Sequence, residues 1–407
     1  MYKDSLSGLS RSIWLLSLVT LINRSGTMVL PFLTVYLTTR LGYTLEQAGW
    51  AMTVFGFGSV AGSYLGGYLT DKIGYYRVQF WSLLLGGFMF LLLMLMESPV
   101  EIYLAIFFTS VIGESFRPAT FSAIAAYSKP ENRTRSVSLI RMAINFGWSL
   151  GPALGGWLAA SYGYHSLFWV DGLTCIGAAF FLRFSLKPKK GGKVAEEEEP
   201  SRGTFISPYQ DRIYLFFLVM LLFTAVAFMQ FLSTLPVFYK QEVGLSESQI
   251  GGLLAMNGIL IVLFEMPLVH FLDRHFNKLD VIKWGIALIG SAYFIFNLAG
   301  TTIAIAVVSM LALTFGEMLN MPFTNAYSLG RATPANRGKY MGMFTMTYSI
   351  SLIFAPTIGL QVAAHWGFSL LWYLLAGLCT TAFLGTIFLK KWEAKVKAAT
   401  ATASLAE

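Results

Sequence analysis

The chain has 407 residues, 56% of them hydrophobic and only 12% charged, with a mean hydropathy of +0.62 and a formal net charge of +8. Soluble globular chains carry about 25% charged residues, so this composition excludes a soluble protein of two or three domains and requires apolar segments of about 20 residues, long enough to cross a bilayer. Its two cysteines, Cys175 and Cys379, both lie in apolar runs and read as small core residues. No Cys/His cluster, Walker loop or dinucleotide fingerprint is present, so neither a metal nor an organic cofactor is expected.

Twelve spans are predicted. The first half of the chain holds 11–38, 45–70, 78–96, 101–127, 136–160 and 165–186; the second holds 211–239, 246–271, 280–298, 302–328, 338–361 and 368–389. The first span is too long for the apolar core of a secretory signal and has no cleavage site, so it counts as a helix. Loops are short except for 187–210, a polar, charged, Gly/Pro-bearing stretch that reads as a cytoplasmic linker. The expected organisation is therefore a bundle over 1–186, the linker, and a second bundle over 211–407 whose Ala/Thr-rich tail beyond Trp392 frays. The fold class is an all-α membrane protein with twelve transmembrane helices in two pseudo-symmetric six-helix bundles.

The two halves repeat one another. Gly113-Glu114 returns as Gly316-Glu317, Pro118 as Pro322, Pro130 as Pro334, Arg133 as Arg337, Pro152 as Pro356, Gly155 as Gly359 and Gly163 as Gly367. The entry to span two, from Gly42 to Gly49, returns from Gly244 to Gly251, and Asp71 returns as Asp273. Six spans per half is an even number, so the copies keep the same orientation, as parallel repeats about an axis along the membrane normal.

Orientation follows from the basic residues. With both termini inside, all but six of the 29 Lys and Arg fall on the cytoplasmic side. The exceptions are Arg40 and Lys240 in external loops, and Arg24, Arg117, Arg141 and Arg183 within spans. Basic loops facing anionic lipid account for the net charge without nucleic acid.

Charges inside spans mark the functional candidates, because each costs at least about 2.5–3.5 kcal/mol at mid-bilayer. In the first half these are Arg24 beside Asn23, Glu114 and Arg117 three residues apart on one helical face, and Arg141 with Asn145 one turn on. Three arginines against one carboxylate leave an excess of positive charge, which Asp171 in span six could offset in part. The second half is opposite in character, with Glu265 and Glu317, Gln230, Asn257 and Asn320, and no basic residue well inside a span. Glu317 has no cation nearby in sequence. Burial raises the affinity of such an acid for a proton, so Glu317 is the first candidate for proton coupling, followed by Glu114 and Glu265. Arg24, Asn23, Glu114, Arg117, Arg141, Asn145, Gln230, Asn257 and Asn320 are the candidate substrate-binding set. Most tryptophans, including Trp50, Trp81, Trp157, Trp169, Trp366 and Trp372, are expected at the lipid-facing surface.

Gly147, Gly151 and Gly155 recur every four residues in span five, as do Gly58, Gly62 and Gly66 in span two, giving helix faces that permit close approach. Two motifs then carry a resemblance. Between spans two and three the chain reads Gly67-Tyr68-Leu69-Thr70-Asp71-Lys72-Ile73-Gly74-Tyr75-Tyr76-Arg77. In span five it reads Gly147-Trp148-Ser149-Leu150-Gly151-Pro152-Ala153-Leu154-Gly155-Gly156. The first resembles the loop pattern G-x-L-a-D-r-x-G-r-k of the major facilitator superfamily, with tyrosines at two basic positions and Arg77 one place late. The second matches in full the family's antiporter pattern G-x-x-x-G-P-x-x-G-G. The chain thus resembles that superfamily over nearly its whole length, most closely the drug:proton antiporter branch. That branch usually has an arginine earlier in span four than Arg117.

The resemblance implies two six-helix bundles around a cavity that opens alternately to each side. It also implies a gating role for Gly67, Asp71, Gly74 and Arg77 as a cytoplasmic latch, and for Gly147, Gly151, Pro152, Gly155 and Gly156 as a moving surface. The expected function is proton-coupled export of a small amphipathic compound, without enzymatic activity, by a monomer in the bacterial inner membrane. Its partners are then the small-molecule substrate, protons and membrane lipid. The arginine excess supports an alternative, a proton symporter for an organic acid or short peptide, or a lipid-head-group flippase.

Overall fold

A computed structural model describes residues 9–129, 133–189, 207–332 and 337–404, with the side chains at 71, 125, 133–135, 138, 337–339 and 397–404 outside the description; all regular structure among the described residues is helical. The helices in chain order are α1 (Arg11–Ser25), α2 (Val29–Thr39), α3 (Leu45–Ile73), α4 (Tyr75–Leu93), α5 (Pro99–Glu114), α6 (Phe116–Tyr127), α7 (Arg133–Tyr162), α8 (His165–Ser185), α9 (Arg212–Gln241), α10 (Glu247–His275), α11 (Lys278–Ala299), α12 (Ile303–Arg331) and α13 (Arg337–Ser404). Nine stretches among the described residues are long and apolar enough to cross a membrane.

Local sequence sets most helix ends. Ser10, Thr44, Ser98, Asn277 and Thr302 accept a backbone N–H of the first turn, and Thr44 with Gln47 closes a reciprocal capping box. Two repeat-related pairs of glycines end helices in the left-handed region: Gly42 (φ 69°) with Gly244 (φ 74°), and Gly163 (φ 80°) with Gly367 (φ 83°). The repeat thus extends to backbone punctuation.

Two predicted spans keep their extent but are interrupted within it, and a third element differs. Span one is broken between α1 and α2, and span four between α5 and α6. The second break has a covalent cause: Pro118 has no N–H for the Glu114 carbonyl, and its ring crowds that carbonyl. Ser115 completes it, its hydroxyl lying 3.0 Å from the Gly62 carbonyl and 2.8 Å from that of Val111. Third, the tail expected to fray continues α13 to Ser404. Its Ala-rich sequence favours helix, and extending an existing helix needs no new nucleus.

The chain packs as two compact units. One takes in the described residues of Met1–Glu196 together with Leu232–Val262, the other those of Glu197–Phe231 and Leu263–Glu407. In the first unit Ile13, Leu16, Val78, Ala123, Leu139 and Leu182 join α1, α4, α6, α7 and α8 around one apolar core. In the second, Tyr293 stacks on Trp372 at 5.3 Å and donates its hydroxyl to the Ala227 carbonyl. Trp372 is only 1% exposed, which corrects its expected place at the lipid surface, whereas Trp50, Trp81, Trp157, Trp169 and Trp366 are exposed. The aromatic platform of Tyr293, Phe296 and Phe368 encloses it.

Candidate functional site

The first unit builds its polar centre on the break in span one. Asp171 of α8 is fully buried and accepts the Met28 N–H at 3.0 Å and the Val29 N–H at 2.8 Å. It caps α2 and sits at the positive end of that helix. Gly26 allows the approach, since any side chain there would overlap Thr174 of α8. Asp171 is therefore held by backbone amides, and no arginine side chain is bonded to it among the described residues.

Arg24 lies in the last turn of α1, with Asn23 reaching 3.5 Å to the Cys175 sulfur. The Arg24 Nε is buried and has no acceptor among the described residues; the guanidinium feels the attraction of Glu114 and the repulsion of Arg117. The charges of Glu114 and Arg117 thus act on Arg24 within this unit. Ser115 separates α5 from α6 yet keeps right-handed helical dihedrals (φ −64°, ψ −22°), and Arg117 is exposed. Arg141 is exposed and Asn145 half-buried on α7.

The glycines of α7 serve this centre. Side chains at Gly147, Gly151 and Gly155 would meet Arg24, the Thr27 carbonyl and Met28 respectively, so this face holds α7 against the break in span one. Gly58, Gly62 and Gly66 likewise hold α3 against α5 and Ser115. The next face of α7 packs on α10: the Pro152 carbonyl and Gly156 meet Gly251, and Ser149 meets Gly258.

The second unit has a different centre. Glu317 and Asn320 of α12, Thr224 of α9 and Tyr348 of α13 form the polar wall of a small cavity closed by apolar side chains such as Phe228 and Ile289. Among the described residues no basic side chain lines it. Asn320 is 3% exposed, and its Nδ2 has no acceptor among the described residues. Gln230, in contrast, is fully buried and donates to the Ala355 carbonyl at 2.8 Å, tying α9 to α13. Asn257 is buried and Glu265 half-buried, both on α10.

Two polar clusters were not singled out from sequence. In the first unit Tyr164 donates to Glu247 Oε1 at 2.6 Å, and Lys240 meets the same oxygen at 2.8 Å. Burial and the Glu247 carboxylate push the Tyr164 phenol above its usual pKa. The signal available was a departure in the repeat, since Glu247 stands where the first copy has Leu45. In the second unit Arg331 makes a bidentate pair with Asp211, at 2.9 Å for both bonds, and reaches Glu393 at 2.7 Å. Tyr340 also donates to Asp211, at 3.0 Å. These contacts anchor the start of α9 to α12 and α13, a role that Arg331 hid by counting among the basic loop residues. Of the expected latch, Gly74 ends α3 with φ 87° and Arg77 is exposed, while the side chains of Asp71, Arg337 and Lys339 lie outside the described residues.

Comparison with known proteins agrees with this architecture. The chain is 25% identical to a Na(+), Li(+), K(+)/H(+) antiporter of Planococcus maritimus, over 85% of this chain and 88% of that protein. It is 23% identical to multidrug resistance protein MdtH of Proteus mirabilis, over 82% of each. The crystal structure of the nucleoside transporter NupG superposes with a TM-score of 0.77 at 15% identity, covering 93% of this chain and all of that one. The Major Facilitator Superfamily model matches residues 13–327 and 215–405. Buried polar centres inside apolar helices, with this match over nearly the whole sequence, make the chain an integral membrane transporter, not an enzyme, and a member of the Major Facilitator Superfamily.

Proposed function

We propose that the chain is a proton-coupled secondary transporter that exports a small amphipathic compound by alternating access, as a monomer in the bacterial inner membrane with both termini cytoplasmic. The observation that carries the reading is Glu317, a carboxylate that lines a small cavity with Thr224, Asn320 and Tyr348 inside apolar helices. There it can take a proton from one side and release it to the other. Export is supported by the full antiporter pattern from Gly147 to Gly156, and by relatives named as a cation/proton antiporter and as multidrug resistance proteins. The proposal includes twelve crossings in two six-helix bundles: α3 and α7 add to the helices already apolar enough, and α13 crosses twice around Gly367. Substrate would be held by Arg24, Glu114, Arg117 and Arg141 with the neighbouring amides. Asp71 and the glycine faces would govern exchange between the two openings.

The experiment is transport in proteoliposomes under an imposed pH gradient. Substrate movement against the proton flux is expected; movement with it turns the reading into a symporter, and independence from the gradient removes proton coupling. Arg24 favours that second reading, since a buried guanidinium Nε without an acceptor among the described residues suits a carboxylate or phosphate. A symported organic acid or short peptide, or a flipped lipid head group, would supply one.

A further inference from the structure

Asn320 places a hydrogen-bond donor at the wall of the small cavity in the second unit. The residue is 3% exposed, and its Nδ2 has no acceptor among the described residues. Its stem is held from two sides. A Cβ at Gly285 of α11 would lie 2.9 Å from the Asn320 nitrogen and 3.1 Å from its Cβ, so α11 packs directly on this turn of α12. The Thr324 hydroxyl, one turn on, lies 2.9 Å from the Asn320 carbonyl. The amide thus stands on a fixed base where it lines the cavity with Thr224, Phe228, Glu317 and Tyr348. What Nδ2 can bind is narrow. It has only hydrogens to offer, so its partner must bring a lone pair. An ammonium has none. A carboxylate or phosphate has several, but the Glu317 carboxylate on the same wall repels a second negative oxygen whenever it is ionised. The room is that of about one water molecule, enough for a single oxygen atom, and Phe228 and Tyr348 add aromatic surface. A neutral carbonyl oxygen on an aryl body meets all of these conditions.

We propose that Asn320 is a specificity-determining donor, and that this cavity takes the neutral aryl carbonyl group of the exported compound. A carbonyl oxygen seated there gives Nδ2 its acceptor, whereas an analogue without one leaves a buried donor unsatisfied. The proposal rests on the reading of the chain as an exporter of small amphipathic compounds, and adds the chemical group by which the second half of the chain selects them.

The test is thermal unfolding of the full-length protein in detergent, titrated with benzophenone, diphenylmethane or benzhydrylamine. These share one two-ring body and differ in carrying a carbonyl, a methylene or an ammonium group. Benzophenone should half-saturate the Tm shift at a concentration about tenfold below that of diphenylmethane, and benzhydrylamine should do no better than diphenylmethane. Asn320→Leu keeps the size but removes the donor, and should close the gap between the two neutral probes; its Tm without probe shows that it folds. Comparing variants in one detergent cancels the partition of each probe into micelles. Illuminated benzophenone bonds to a neighbouring C–H carbon and should label wild type at Phe228 or Met321, a readout that needs no variant. Equal half-saturation by the two neutral probes, a gap that survives Asn320→Leu, a preference for the ammonium, or a label away from the cavity overturns the site. Proteoliposomes holding a pH-sensitive dye separate this proposal from the reading beneath it. If the carbonyl preference depends on Asn320 but benzophenone drives no proton movement down an imposed gradient, the site stands and proton-coupled export falls. If all three probes drive it equally, in wild type and in Asn320→Leu, export stands and the site is overturned.

Discussion

The two copies of the Gly-Glu segment have diverged in structure as well as in charge. In the first copy the helix bends at Ser115, just after Glu114, and the charge of that acid acts on Arg24. In the second, α12 runs unbroken through Glu317 and Pro322, past a cavity that no basic side chain among the described residues lines. Both copies have a proline, but Pro118 lies four residues after Glu114 and Pro322 five after Glu317, so only Pro118 leaves the acid's own carbonyl without a helical donor. Ser115, bonded to Gly62 of α3, stands where the second copy has the buried Met318. A second contrast has the same form. With Cys175 and Cys379 setting the register, Asp171 corresponds to Leu375; the acid accompanies a broken span one, the leucine an unbroken α9. One polar side chain per site, placed to satisfy orphaned backbone groups, goes with a broken helix and charges held at the break.

The largest effect that tests this contrast is at the acids themselves. Glu317→Gln should reduce pH-gradient-driven transport to background while keeping ligand binding and exchange, because the amide carries no ionisable proton. Glu114→Gln should retain coupling and change affinity. Proteoliposome flux with and without a gradient distinguishes the two variants, and coupling that survives Glu317→Gln would leave the copies functionally alike.

Next in size is Arg24→Gln. A charge-assisted hydrogen bond contributes about 1.5–3 kcal/mol, so the variant should lose about ten- to a hundredfold in affinity for an anionic substrate. For a cationic or neutral substrate affinity should hold or rise. Equilibrium binding against ligands of each charge decides whether the first copy is the binding half.

Much of the comparison was legible in sequence, for physical reasons. Apolar runs of bilayer length, paired glycine stops and repeated Gly-Glu positions fix element type and repeat, since each depends on neighbours along the chain. Arg24, Glu114 and Arg117 could be chosen as a group because charge inside a span is costly wherever it points. The breaks were not legible. The break in span one depends on Asp171, more than 140 positions away in sequence, and nothing local tells an acid that caps a helix from one that pairs with arginine. Glu247 and Arg331 were missed for a related reason, since both sit at span ends where solvated charge is the ordinary expectation.

Asp171→Ala should be smaller in its effect on transport than either acid variant but plain in stability. It leaves two buried amides without an acceptor, costing about 1–3 kcal/mol each. Asp171→Asn keeps one acceptor oxygen and should lose about half as much. If Tm in detergent barely falls for Asp171→Ala, the break in span one is held by Gly26 and Thr174 instead.

The smallest expected effect is at Ser115, and it bears most directly on why the copies differ. Its hydroxyl has one proton to share between the Gly62 and Val111 carbonyls, and a net hydrogen bond contributes about 0.5–1.5 kcal/mol. Ser115→Ala should therefore lower Tm only slightly. Without that tie the bend at Ser115 has less support, and Glu114 and Arg117, three residues apart, can settle closer to straight-helix neighbours, which interact by about 0.2–0.5 kcal/mol. A double-mutant cycle of Glu114→Gln and Arg117→Gln, run in both backgrounds, reads this as a stronger coupling in Ser115→Ala. An unchanged coupling would assign the break to Pro118 and the close α3–α5 packing alone, and the contrast with Met318 would then have no part in how the two acids came to differ.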